Sequence, residues 1–132
     1  MKTHALRLRP GDDLRQSLET FTRDRKLRAG CIASCVGSAA QAVIRCAGQT
    51  EAAAMEGPLE IVSLVGTLSP DGAHLHLSVS DGQGRTVGGH LARGTLVHTT
   101  AEIVVLELEN LAFARELDPA TGYRELVIRG AG

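Results

Sequence analysis

The chain has 132 residues, of which 43% are hydrophobic, 22% charged and 2% aromatic, and its formal net charge is −1. That near-neutral balance argues against direct DNA binding through phosphates, which calls for a basic excess or a basic face. No apolar run is long enough to span a bilayer and no signal peptide is evident, so the sequence reads as a cytoplasmic protein without membrane contact.

The length fits a single domain over residues 1–132, with its core at about residues 6–128. Its only aromatic residues are Phe21, Phe113 and Tyr123. The core must therefore be built from Leu, Val, Ile and Ala. Such thin side chains suit close-packed sheets, either with part of the apolar surface buried between subunits or within a small monomer.

Thr3 to Leu8 alternates as a first strand, with Leu6 and Leu8 on one face. Pro10-Gly11-Asp12-Asp13 breaks it and offers an N-cap. Leu14, Leu18 and Phe21 follow at helical spacing, which predicts a helix ending near Arg28-Ala29-Gly30 with Gly30 as its stop. The basic cluster Arg23, Arg25, Lys26 and Arg28 falls at that end, where cations complement the helix dipole.

Cys31–Val36 and Ser38–Ala47 read as two short strands divided by Gly37. Cys31, Cys35 and Cys46 are an odd number of cysteines, which fits reduced thiols. Core packing accounts for them better than a three-thiolate metal site does. Arg45 lies in apolar company, so it sits on an exposed face or pairs with a carboxylate. Gly48–Gly57 reads as a loop or a short helical turn. Leu59–Leu68 is apolar on both faces apart from Glu60 and Ser63, the pattern of a central strand covered on both sides.

Ser69-Pro70-Asp71-Gly72 is a strong turn signal. After it Ala73, Leu75, Leu77 and Val79 point one way, and His74, His76, Ser78 and Ser80 the other. Two imidazoles thus share one strand face, about 6–7 Å apart along it. Asp81-Gly82-Gln83-Gly84 forms the next hairpin loop and leads towards His90. If Ser80 pairs with Arg85, His90 faces away from His76. If Ser80 pairs with Thr86, His90 lies directly across from it. A one-residue slip, or a bulge at Gly88-Gly89, decides between them.

Leu91–His98 holds a loop or helical turn. Thr99–Leu108 is rich in β-branched residues and reads as a long strand, with Glu102 early in it. Ala112–Leu117 and Tyr123–Arg129 read as a last hairpin around Asp118–Gly122.

Three histidines with an open fourth position are the donor set of a catalytic rather than a structural zinc site. Imidazole also suits Cu, Fe and Ni. Against this, His74 and His76 could simply line a polar face or a subunit contact. Glu102 could accept a hydrogen bond from a metal-bound histidine, but a buried structural role, as an ion pair with Arg45 or a hydrogen bond to its own backbone surroundings, is the favoured reading. No nucleophile elbow, phosphate loop or dinucleotide fingerprint is present. Two classes of function remain: a binding module that holds a metal ion or small ligand, and a metal-dependent, hydrolase-like enzyme. A hydrolase needs an acid or base beside the metal-bound water. Glu102 is the one attractive candidate, and its place cannot be read from the sequence, which favours the module.

The segments A-G-C-I-A-S-C-V-G-S, A-V-I-R, G-P-L-E-I-V-S-L-V-G-T-L, H-L-H-L-S-V-S-D, V-G-G-H-L and T-T-A-E-I-V occur in an order that resembles the plant and prokaryote conserved (PPC) domain family. The resemblance runs over roughly Leu6–Ile128. It implies a small free-standing bacterial member with an α+β fold: a mainly antiparallel β-sheet with one or two helices, assembling as a homotrimer. It also implies a regulatory or DNA-associated role and metal binding, zinc or another divalent transition metal, through His74, His76 and His90. Plant relatives carry an AT-hook with an R-G-R-P core, which is absent from this sequence. Their G-R-F-E-I-L segment, linked to partner contacts, is matched here by G-P-L-E-I-V at Gly57–Val62.

Overall fold

The computed structural model describes residues 1–130 and builds them from one helix and eight strands. Strand β1 (Lys2–Leu8) leads to helix α1 (Leu14–Asp24), then β2 (Gly30–Arg45), β3 (Ala53–Ser69), β4 (Gly72–Ser80), β5 (Thr86–Leu91) and β6 (Leu96–Glu107). A hairpin of β7 (Leu111–Leu117) and β8 (Arg124–Gly130) completes the chain. This is the α+β, mainly antiparallel architecture that the sequence predicts, with a single helix.

Asp13 starts α1 as its N-cap. One carboxylate oxygen accepts the Gln16 N–H at 2.9 Å, and the other accepts the Gly94 N–H at 2.7 Å. The cap thereby ties the helix to the β5–β6 loop. Leu14, Leu18 and Thr22 recur at every fourth position and are buried. The helix stops at Asp24, short of the predicted Gly30. Lys26 adopts a left-handed φ of 54°, and Leu27 N–H returns to Thr22 O, which turns the chain one full turn early. The released residues let Leu27 reach the core at 1% exposure.

Six strands form one sheet in the order β1-β6-β2-β3-β4-β5. Its far edge bends back: Ile44 and Arg45 of β2 pair with Leu91 and His90 of β5. Strands β2, β3, β4 and β5 thus close into a ring, which removes an exposed edge. Leu59, Ile61, Leu64, Leu75, Leu77, Val79 and Leu91 fill its inner side and join Leu14 and Leu18 in one core cluster.

The two strands predicted on either side of Gly37 are a single 16-residue strand. Gly37 is a point of close approach rather than a break, because a Cβ there would lie 2.0 Å from Thr100 O. Ala53–Gly57, expected in a loop, begins the long β3. Nor is β3 covered on both sides: Val62 and Val65 are 55% and 53% exposed, on the face turned away from the core. The β7–β8 hairpin forms a separate two-stranded sheet. It is fastened where Phe113 N–H donates to Arg28 O, and where Asp71 of the β3–β4 turn accepts the Arg115 N–H.

Candidate metal centre

The Asp81–Arg85 loop sets the register of the hairpin between β4 and β5. Asp81 N–H donates to Arg85 O, and the Asp81 carboxylate accepts the N–H groups of Gln83 and Arg85 and the Arg85 guanidinium. A five-residue loop locked in this way pairs Ser80 with Thr86 and carries His90 directly opposite His76. The β4–β5 ladder runs without a bulge. The kink at Gly88-Gly89 that the sequence allowed is therefore not what turns His90. A Cβ on Gly89 would lie 2.5 Å from Arg45 O; the missing side chain is what lets β5 close onto β2.

The inward residues of β4 pack in the core, so the alternation of the strand sends His74 and His76 to the outer wall. His90 joins them from β5. Ring centroids lie 5.0 Å apart for His74–His76, 5.5 Å for His74–His90 and 4.6 Å for His76–His90. His74 and His90 are nearly parallel, at 9°, and His76 stands edge-on to both. One ring nitrogen from each lies within 4.8 Å of the other two. Nitrogens bound tetrahedrally at 2.0–2.1 Å from a common zinc would be separated by about 3.3–3.4 Å. The three rings thus converge from two adjacent strands with one donor nitrogen each, and three imidazoles are a donor set that suits such an ion.

The protonation state suits the same role. Burial lowers the His74 pKa, and the positive charge of Arg115 lowers it further. Burial likewise lowers that of His90, helped by Arg45. Neutral imidazole is the form that ligates a metal.

The companions expected from sequence fall differently. Glu102 is exposed on β6, opposite Arg7 and Val36, and accepts no hydrogen bond from any of the three rings. It does not pair with Arg45 among the described residues; the Arg45 guanidinium donates to Gln49 O at 3.0 Å. Arg45 does, however, stand opposite His90 across the β2–β5 closure. The thiols form no cluster among the described residues. Cys46 is exposed, and burial pushes the Cys35 thiol up to about 11, far from thiolate. Sequence reasoning missed Arg115 and Asp71, which line a cavity of about 980 Å³ beside His74 and His90. Only the docking of the last hairpin brings Arg115 there, and no spacing in the sequence signals it.

These features define a class: α+β proteins whose antiparallel sheet closes on itself and displays three imidazoles on its outer wall. The chain belongs to the Plants and Prokaryotes Conserved (PCC) domain family, whose profile matches residues 1–109. It is 53% identical over 128 residues to the bifunctional protein GlmU of Synechococcus sp. strain JA-3-3Ab, an alignment that covers 97% of this chain and 21% of that protein. A second Synechococcus GlmU is 50% identical over 129 residues, which is 98% of this chain and 20% of that protein. The chain thus spans about a fifth of the length of these relatives. Among solved structures, a hypothetical protein of Salmonella enterica matches with 42% identity and a TM-score of 0.96, over 98% of this chain and 94% of that one. A metal-containing protein of Archaeoglobus fulgidus matches with 32% identity and a TM-score of 0.80, over 96% and 94% of the two chains.

Proposed function

We propose that this protein is a trimeric binding module that holds one divalent transition metal, zinc in the first instance, on His74, His76 and His90. The observation that carries this reading is the convergence of the three rings from two strands. A relative 32% identical along nearly its whole length is called a metal-containing protein, which supports it. A bound metal would supply a Lewis-acid centre with an open coordination position. The chain's own contribution is to hold three imidazoles on a paired set of strands.

The binding-module reading is favoured over a hydrolase-like enzyme. Among the described residues no carboxylate accepts a hydrogen bond from His74, His76 or His90, and Glu102, the acid–base candidate, faces solvent elsewhere on the sheet. The subunits would pack through the outer face of the sheet, where Val36, Val62 and Val65 are 58%, 55% and 53% exposed. Apolar side chains in that position, on a chain short of large core residues, suit burial against further copies. A regulatory or DNA-associated role would act through that assembly rather than through phosphate contacts, since the net charge is −1.

Metal content of the purified protein tests the proposal, with each histidine replaced in turn by alanine. One metal per chain, lost in all three variants, is expected. Equal metal content in the variants would contradict it. In parallel, any DNA complex is expected to dissociate by about 0.2 M salt.

A further inference from the structure

The cavity beside the histidines is rich in guanidinium groups although the chain as a whole is slightly acidic. Five arginines line it, and two of them, Arg15 and Arg93, share the single carboxylate of Glu19 at 2.7 and 2.5 Å. The other three, Arg45, Arg115 and Arg124, make no ion pair among the described residues. Each is instead held by a neutral acceptor: Arg45 by Gln49 O at 3.0 Å, Arg115 by Thr67 Oγ1 at 3.1 Å, and Arg124 by Arg115 O at 2.9 Å. A neutral acceptor orients a guanidinium without cancelling its charge, and leaves most of its five N–H groups free.

Thr67 stands opposite His74 in the β3–β4 ladder, and Arg45 stands opposite His90 in the β2–β5 closure. The two guanidiniums therefore flank the imidazole cluster from opposite sides. Three carboxylates share the cavity wall: Glu19 is held by Arg15 and Arg93, Asp71 accepts the Arg115 backbone N–H, and Glu125 accepts the Thr121 hydroxyl at 3.5 Å without an ion pair among the described residues. Five guanidiniums against three carboxylates leave the wall with a surplus of two positive charges, to which a metal ion on the histidines would add.

We propose that this cavity binds a small molecule through an oxyanion group, carboxylate or phosphate, that ligates the metal while Arg115 and Arg45 clamp it. The proposal rests on the metal reading above. The guanidinium fork matches two oxygens of such a group, and an anion in that place offsets both the metal and the arginines. A cavity of about 980 Å³ has room for the rest of a metabolite-sized ligand. Its concave shape, on a chain of net charge −1, suits a small anion better than a duplex phosphate backbone.

Cobalt(II) replaces zinc and reports its ligands through visible absorption, which separates the two proposals. Cobalt-loaded protein would be titrated with inorganic phosphate and, in a separate arm, with succinate. A saturable spectral change in either arm, weakened about 10–100-fold in Arg115→Gln and in Arg45→Gln as expected for a lost charged hydrogen bond, supports the proposal. The effective arm identifies the oxyanion. The cobalt spectrum of each variant without anion shows whether its metal site has formed. If cobalt binds but neither anion changes the spectrum, or the arginine variants respond as the parent does, the oxyanion site is wrong and the metal site stands. If no cobalt binds, both are overturned.

Discussion

At the scale of single residues, the candidate centre depends on which way three rings point. The alternation of His74 and His76 against Leu75 and Leu77 was legible, because a strand with one apolar face must send its polar residues to the other. Their convergence with His90 was not, because it depends on loop geometry that a pattern of residue types does not encode. Replacing a ligand should cost more than the 10–100-fold typical of residues that merely support one. His76→Ala, which removes the ring that stands edge-on to both others, is accordingly expected to lower zinc affinity by more than about 100-fold in competition with a chromogenic chelator. Away from the rings, Glu19 joins α1 to the site's rim through Arg15 and Arg93. Burial opposes its charged form, but the hydrogen bonds from Arg93 and Arg15 outweigh burial and keep its pKa below the usual carboxylate value. A carboxylate whose folded pKa is depressed adds stability above its unfolded value and loses it as pH falls through the folded value. Thermal melts of the metal-free protein should therefore show the parent losing its advantage over Glu19→Gln below about pH 4.5. An advantage independent of pH would show that the ion pairs contribute nothing.

Among the elements, the hairpin β4–β5 and the closure of β5 onto β2 do the positioning. The sequence suggested two registers, and the Asp81 carboxylate selects one by binding two backbone N–H groups and Arg85 across the loop. Adding one residue between Gln83 and Gly84 would flip or loosen β5 relative to β4. Such a variant is expected to lose metal binding while keeping the far-ultraviolet spectrum of a folded sheet protein. Gly89→Ala acts on the other side of the same strand. Its methyl would meet Arg45 O at 2.5 Å, so the closure must open. The expected cost is about 1–3 kcal/mol, the range for overpacking, read by chemical denaturation together with weaker metal affinity. The helix ended one turn before the sequence suggested because a left-handed lysine, which pattern reading does not anticipate, did the work expected of glycine. Gly37 was taken for a break because glycine also marks turns; only the backbone of β6 beside it reveals the close approach.

For the whole molecule, the balance of core and surface is informative. Leu, Ile, Val and Ala fill nearly all of the core, as the near-absence of aromatics required, yet three valines remain on the outer sheet face. The strand β3 looked apolar on both sides in sequence because one of its faces carries Val62 and Val65, not because both are covered within this chain. If copies of the chain cover them, light scattering should give a mass near three times 13.9 kDa for the parent. Val62→Glu combined with Val65→Glu should reduce it towards that of one chain. A trimer unchanged by the double substitution would place the interface elsewhere. The order of motifs made the fold legible. The cavity beside the histidines was not, because its walls come from α1, the β3–β4 turn and the last hairpin, which are far apart in sequence.

The account stands or falls on whether the three imidazoles share an ion. X-ray absorption at the zinc edge, on protein purified without chelator and then loaded with one equivalent of zinc, measures this directly. The account predicts a nitrogen shell at about 2.0–2.1 Å with the outer-shell scattering of three imidazoles, and loss of that scattering in His90→Ala. A spectrum dominated by sulfur, or one left unchanged by that substitution, would contradict it.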